Sequence, residues 1–277
     1  MKPIRAILSF LLLLITFSGF AQSPQLTKLW ETDSTLKVPE SVLYYAPEKI
    51  LFVSCIDGKP DEKDLKGSIS KVNLDGKILK ANWAVNLSAP KGMGIAKDQL
   101  YVADLSEVVA IDLKSGKISR RIPVAGSIFL NDITIDDKGV VYVSDSRTGK
   151  VHRIQGSNVT TYLENKMGVN GLLAVGDDLY LTVKDTLYRS DKNKKLTPIT
   201  TGMDQSSDGI IRIGNDFIVS CWNGIIYLVK ADGNKIELLD TRPAGSNTAD
   251  IGYDPSTQTL YVPTFLKNRV VAYQIKR

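Results

Sequence analysis

Glu40, Asn131, Asn170 and Asp208 are far apart in the chain but share a setting. Each heads a short apolar run, in "ESVLYY", "NDITI", "NGLLAV" and "SDGIIRI". A carboxylate or carboxamide gains nothing by leading a buried strand, so four such placements need a reason. All four side chains offer oxygen, and none offers thiolate or imidazole. Hard divalent cations take such donors, and Ca²⁺ accepts about six to eight oxygens at about 2.3–2.6 Å. Two acids confined together are costly unless protonated or neutralised by a bound cation. The chemistry this set can do is to hold one divalent cation, Ca²⁺ first, with Zn²⁺ or Mn²⁺ as alternatives. The plainer reading is that Asn and Asp cap strand-entry turns. That suffices for one position but not for several related ones.

The relation between them is a repeat. "NDITIDDKGVVYVSDSRTGKVHRIQ", "NGLLAVGDDLYLTVKDTLYRSD" and "ADIGYDPSTQTLYVPTFLKNRVVAYQI" follow one plan, as do "ESVLYYAPEKILFVSCIDG" and "MGIAKDQLYVADLSEVVAIDL" earlier in the chain. Each unit has an apolar strand, a tight turn such as "DDKG", "VGDD" or "IGND", and an "LYV"-type second strand. A third strand follows, usually with a more polar fourth. Counted from Glu40, Met93, Asn131, Asn170, Asp208 and Ala249, the steps are 53, 38, 39, 38 and 41 residues. The long first step fits a polar insertion around "CIDGKPDEKDLKG". Six units of four strands predict an all-β fold, a six-bladed β-propeller. No stripe of helical period runs through the chain. The sixth unit stops after three strands, and "QLTKLWETD" at residues 25–33 is a lone strand before the first unit. It is expected to complete and close the last blade. In a propeller the first strand of each blade lines the channel, so the six heads form a ring. On this numbering Met93 makes the blade-two wall of that ring apolar.

Residues 1–21 read as an export signal: Lys2 and Arg5, an apolar run from Ala6, then Gly19 and Ala21 before the cut. The run is too short for a spanning helix. The expected product, residues 22–277, is a single propeller domain, periplasmic or secreted, with no stable membrane insertion. The signal carries two of the 35 basic residues, leaving 33 against 30 acids. This mixed charge has no basic tract for nucleic acid. No phosphate loop or Gly-x-Ser-x-Gly elbow is present. His152, the one histidine, is expected on a strand surface. Cys55 and Cys221 end equivalent "VSC" runs in different units and are expected to be buried free thiols, too far apart to bond. Trp30, Trp83 and Trp222 read as packing, with Trp222 placed to reach the channel mouth.

The order and spacing of "PES" around Glu40, "LND" ending at Asp132, "VNG" around Asn170 and "SDG" around Asp208 resemble the senescence marker protein/gluconolactonase family of six-bladed propellers, and more distantly the paraoxonases. The resemblance covers the chain after the signal. It implies that Glu40, Asn170 and Asp208 hold the metal, that Asn131 lies beside the substrate, and that the activity is hydrolysis of a lactone or related ester. Asp208 is then also the candidate catalytic base. Where sugar-lactone members carry an arginine two residues before the asparagine, this chain has Phe129, and Ser41 replaces the usual glycine after Glu40. With Phe129 and Met93 beside Asn131 on the substrate side, a less polar lactone or ester is expected, and a monomeric protein. The alternative is a non-catalytic propeller binding a small ligand or protein.

Overall fold

A computed structural model describes residues 24–276. The segment read as an export signal lies outside the described residues. The described chain forms six four-stranded antiparallel sheets, the blades of a six-bladed β-propeller. Five blades take four consecutive strands each. The sixth joins Gly252–Asp254, Thr259–Pro263 and Val270–Lys276 to the N-terminal strand Gln25–Glu31. That strand pairs antiparallel from Gln25 opposite Lys276 to Glu31 opposite Val271, so the first and last described strands lie in one blade and the ring closes as expected.

The turns between strands are made by local chemistry. Asp136 Oδ1 accepts the amides of Lys138 and Val140, each at 2.9 Å, while Gly139 takes the left-handed conformation with φ +76°. Asp191 and Asn73 tie their own turns in the same way. Such side-chain-bonded turns fix hairpin register. Apolar faces then meet between blades. Phe52, Ile69 and Trp83 of blade one pack with Met93, Leu100 and Val109 of blade two. Val151 and Leu163 of blade three meet Val169, Leu172 and Leu181 of blade four.

The inner strands are Pro39–Tyr45, Pro90–Ala96, Leu130–Ile135, Val169–Val175, Ser207–Ile213 and Gly252–Asp254. Five of them share an irregularity. The residues paired at the strand start are Pro39 with Cys55, Pro90 with Asp104, Leu130 with Asp145, Val169 with Val183 and Ser207 with Cys221; after each of these pairs the register slips. A β-bulge re-aims the residue it frees from the ladder. Here the freed residues are Glu40, Lys91, Asn131, Asn170 and Asp208.

That register corrects one expectation. Lys91, not Met93, is the blade-two member of the ring. Met93 pairs with Val102 further along the strand, as Ile133 pairs with Val143 in blade three. Its side chain is buried between blades one and two and faces a deeper part of the channel. The reason is the bulge: Pro90-Lys91-Gly92 occupies the place of Pro39-Glu40-Ser41, and counting back from the apolar run stopped two residues short. His152 also departs from expectation. It is 3% exposed, paired with Val143 and Thr161 in the interior of blade three, and burial pushes its imidazole below the ordinary range. Cys55 and Cys221 are buried and free, each ending the second strand of its blade. No helix among the described residues is long and apolar enough to cross a membrane.

Candidate metal and substrate site

The bulged residues converge on one cavity of about 340 Å³. Glu40, Asn131, Asn170 and Asp208 all line it, as do Phe129, Lys91, Trp222 and Phe265. Four of the residues singled out for an oxygen ring, and Phe129 beside them, are thus brought together from blades one, three, four and five. Met93 is not among them.

Three oxygens in this cavity are unpaired. Glu40 Oε2, Asn170 Oδ1 and Asp208 Oδ1 are buried with no hydrogen-bond partner. Leaving one buried polar atom unsatisfied costs about 1–3 kcal/mol, and native proteins rarely tolerate several together. Asn131 is oriented differently: its Nδ2 donates to Ser146 Oγ at 3.1 Å, and Ser146 Oγ donates to Val169 O at 2.7 Å. Its amide end is tied down, which leaves Oδ1 as the free end.

Burial pushes the Glu40 carboxyl well above the usual range, with Asp208 and Asp250 adding repulsion and Lys91 opposing it. Burial raises Asp208 in the same way, with Asp250 contributing and a hydrogen bond from Asn170 opposing. Each carboxyl resists ionisation chiefly because it is buried, with neighbouring carboxylates adding to the effect, a condition a cation would relieve. Two carboxylates and two carboxamides suit a hard cation. No group of three or more His, Cys, Asp or Glu side chains is spaced for a metal among the described residues; the set gathered here is two carboxylates with two carboxamides.

A second layer lies one residue further in: Ser41, Gly92, Asp132, Gly171, Gly209 and Asp250. Asp132 Oδ2 accepts the Leu172 amide at 2.6 Å, bridging blades three and four. Asp250 Oδ2 accepts from Ser41 Oγ at 2.5 Å, bridging blades six and one. The glycines make the room. A β-carbon on Gly209 would lie 2.3 Å from Asp250 Oδ1, and one on Gly171 would lie 1.9 Å from the Asp208 carbonyl oxygen. The glycine of each "NG" and "DG" pair is therefore a packing requirement of the channel. Burial raises Asp250 to about 6, with the Ser41 hydrogen bond opposing.

The outer wall is aromatic. Trp222 and Phe265 meet edge to face with centroids 5.3 Å apart. Phe129 is flanked by two cations, Lys91 Nζ at 4.4 Å and Arg147 Cζ at 4.5 Å from its ring centre. Arg147 pairs with Asp61 at 2.8 Å, and Lys91 Nζ donates to Pro60 O at 2.9 Å and Ala89 O at 3.0 Å. The insertion of blade one is thereby strapped against the cavity. Sequence reading missed Lys91, Ser146, Pro60 and Phe265. Only Lys91 left a usable signal, the Pro90 that mirrors Pro39.

No family model matches the sequence, and no curated protein matches it. Solved structures do match in shape. Selenomethionine-substituted virginiamycin B lyase from Staphylococcus aureus superposes with a TM-score of 0.65 at 15% identity, covering 91% of this chain and 99% of that one. A catalytically inactive histidine-to-alanine variant of that lyase with Quinupristin gives 0.62 at 14% identity, covering 91% and 98%. A streptogramin B lyase gives 0.65 at 11% identity, covering 91% and 97%. The likeness defines the class, an all-β six-bladed propeller.

Proposed function

We propose that the protein is a metal-dependent hydrolase of a lactone or related ester, of the senescence marker protein/gluconolactonase type, exported and acting as a monomer on a small molecule. The observation that carries this reading is the convergence of Glu40 Oε2, Asn170 Oδ1 and Asp208 Oδ1, three buried oxygens without partners, in one aromatic-walled cavity. Their donor chemistry fits one divalent cation, Ca²⁺ first and Zn²⁺ or Mn²⁺ as alternatives. Held by these three residues, the cation would supply positive charge to polarise a carbonyl.

The protein's own groups account for the rest. Asn131, with its amide end fixed by Ser146, presents oxygen to the substrate side. Phe129, Trp222 and Phe265 cover the apolar body of the substrate and limit water. Asp208 accepts a proton from the attacking water as its oxygen bonds to the acyl carbon. The acyl–oxygen bond then breaks, and the proton passes to the departing alkoxide, so ester and water become acid and alcohol. Asp208 takes this role because the sole histidine is buried in blade three. That placement also separates the protein from its structural neighbours. They are lyases, one of them inactive as a histidine-to-alanine variant, and this cavity has no histidine among its lining residues.

A panel of γ- and δ-lactones and aryl esters, assayed with Ca²⁺, Zn²⁺, Mn²⁺ or chelator, tests the reading. Turnover that needs a divalent ion and disappears in Asp208→Ala is expected. Absence of turnover on every member with every ion would sink it.

A further inference from the structure

Lys91 is the one cationic side chain that the bulged inner strands bring into the axial ring among the described residues. It is 1% exposed, which is unusual for lysine. Methionine or leucine would fill the same volume without stripping water from a charge. Two of its three N–H bonds are used, to Pro60 O and Ala89 O, and they hold Nζ over the Phe129 ring, 4.4 Å from its centre. Neither carbonyl nor ring neutralises it, and no carboxylate lies within ion-pair distance of Nζ among the described residues. Arg147, the other cation on Phe129, is already paired with Asp61.

Charge accounting then points to the ligand. Among the charged side chains that line the cavity, Glu40 and Asp208 match one divalent cation and Lys91 is left without a carboxylate of its own; Asp132 and Asp250 lie one layer beneath, engaged by the Leu172 amide and the Ser41 hydroxyl. We propose that Lys91 is a specificity-determining residue and that the cavity takes a lactone or ester bearing a carboxylate. The Lys91 ammonium grips the carboxylate, and the scissile carbonyl faces Glu40, Asn170 and Asp208. This inference rests on the hydrolase reading and replaces the apolar substrate expected when Met93 was assigned to the ring. The cationic anchor comes from blade two and stands directly beside Phe129, 4.4 Å from its ring centre. A cavity of about 340 Å³ has room for a five- or six-membered ring with such a group.

The test uses ligands that cannot turn over: a cyclopentanone carboxylate and the corresponding neutral carboxamide. Their affinities are measured by calorimetry and by the change in tryptophan fluorescence on binding, with Trp222→Phe as the control that assigns it to the cavity, in the propeller chain with Ca²⁺. The wild type is expected to bind the carboxylate roughly tenfold more tightly than the carboxamide, with the ratio shrinking as salt is added. In Lys91→Met the ratio should fall to near one, and Lys91→Arg should keep most of it. Thermal melting shows whether each variant is folded, and the salt dependence of the wild type tests the charge without any variant. A wild-type ratio near one, a ratio that survives in Lys91→Met, or failure of both ligands to bind overturns the inference. Calcium titrated alone reports on the metal site separately, so the two readings fail distinguishably.

Discussion

Gly92 faces Asp132 so closely that a β-carbon on the glycine would lie 2.4 Å from Asp132 Oδ1 and 2.6 Å from its Cα. The pair joins the inner strands of blades two and three just beneath Lys91 and Asn131. Gly92→Ala must displace a carboxylate that also accepts the Ile133 and Leu172 amides. Overpacking of this kind costs about 1–3 kcal/mol. Thermal or urea unfolding is expected to show that loss, with weakened calcium binding as the Leu172 amide and the neighbouring Asn170 shift with Asp132. An unchanged midpoint would mean that the strands separate freely here, against the packing described.

Glu40→Gln and Asp208→Asn should move metal affinity and stability in opposite directions. Each removes a buried negative charge from a crowded site, so the calcium-free variants should melt higher than the calcium-free wild type. Each also removes a ligand charge, so calcium affinity by calorimetry should drop by roughly a hundredfold. A variant that keeps wild-type affinity would show that the cation sits elsewhere.

The pH dependence follows from the same crowding. Burial and mutual repulsion raise Glu40, Asp132 and Asp208 well above their ordinary values, and burial raises Asp250 to about 6. A carboxyl with a raised folded value favours the folded state while protonated and loses that contribution as pH climbs through the folded value. In chelator, the melting temperature should therefore fall from about pH 5 towards pH 8. Lys91, which burial brings down to about 8, acts in the opposite sense above that, so the window ends there. Saturating Ca²⁺ should flatten the slope. A chelated protein whose melting temperature rises with pH over this range would contradict it.

Cys55 and Cys221 give a check that does not involve the site. Both are free and buried, and burial pushes the Cys55 thiol up to about 12 and Cys221 higher still. A thiol reagent at pH 8 should find almost no reactive group in the native protein and two after unfolding without reductant. Reaction of the native protein, or no thiol after unfolding, would contradict the placement.

The ring architecture was legible because it is written as a period. Asp136, Asp191 and Asn73 tie their turns through bonds within five residues, and alternating apolar strands leave no helical option, so the blades follow from local chemistry. Closure by Gln25–Glu31 was legible by subtraction, since the last unit lacks a strand. The oxygen donors were legible from their repeated place before apolar runs, and the cavity does gather Glu40, Asn131, Asn170 and Asp208. Lys91 was not. A β-bulge inserts one residue into a strand, and a bulge is a property of two paired strands that neither reveals alone. The same holds for Asp132 and Asp250, whose partners Leu172 and Ser41 lie 40 and 209 positions away. Residue order determined the number of blades, their turns and the kinds of donor available, because those depend on contacts between near neighbours. Which side chains share the axial cavity, and that a buried ammonium stands among them, was decided by strand register across the ring.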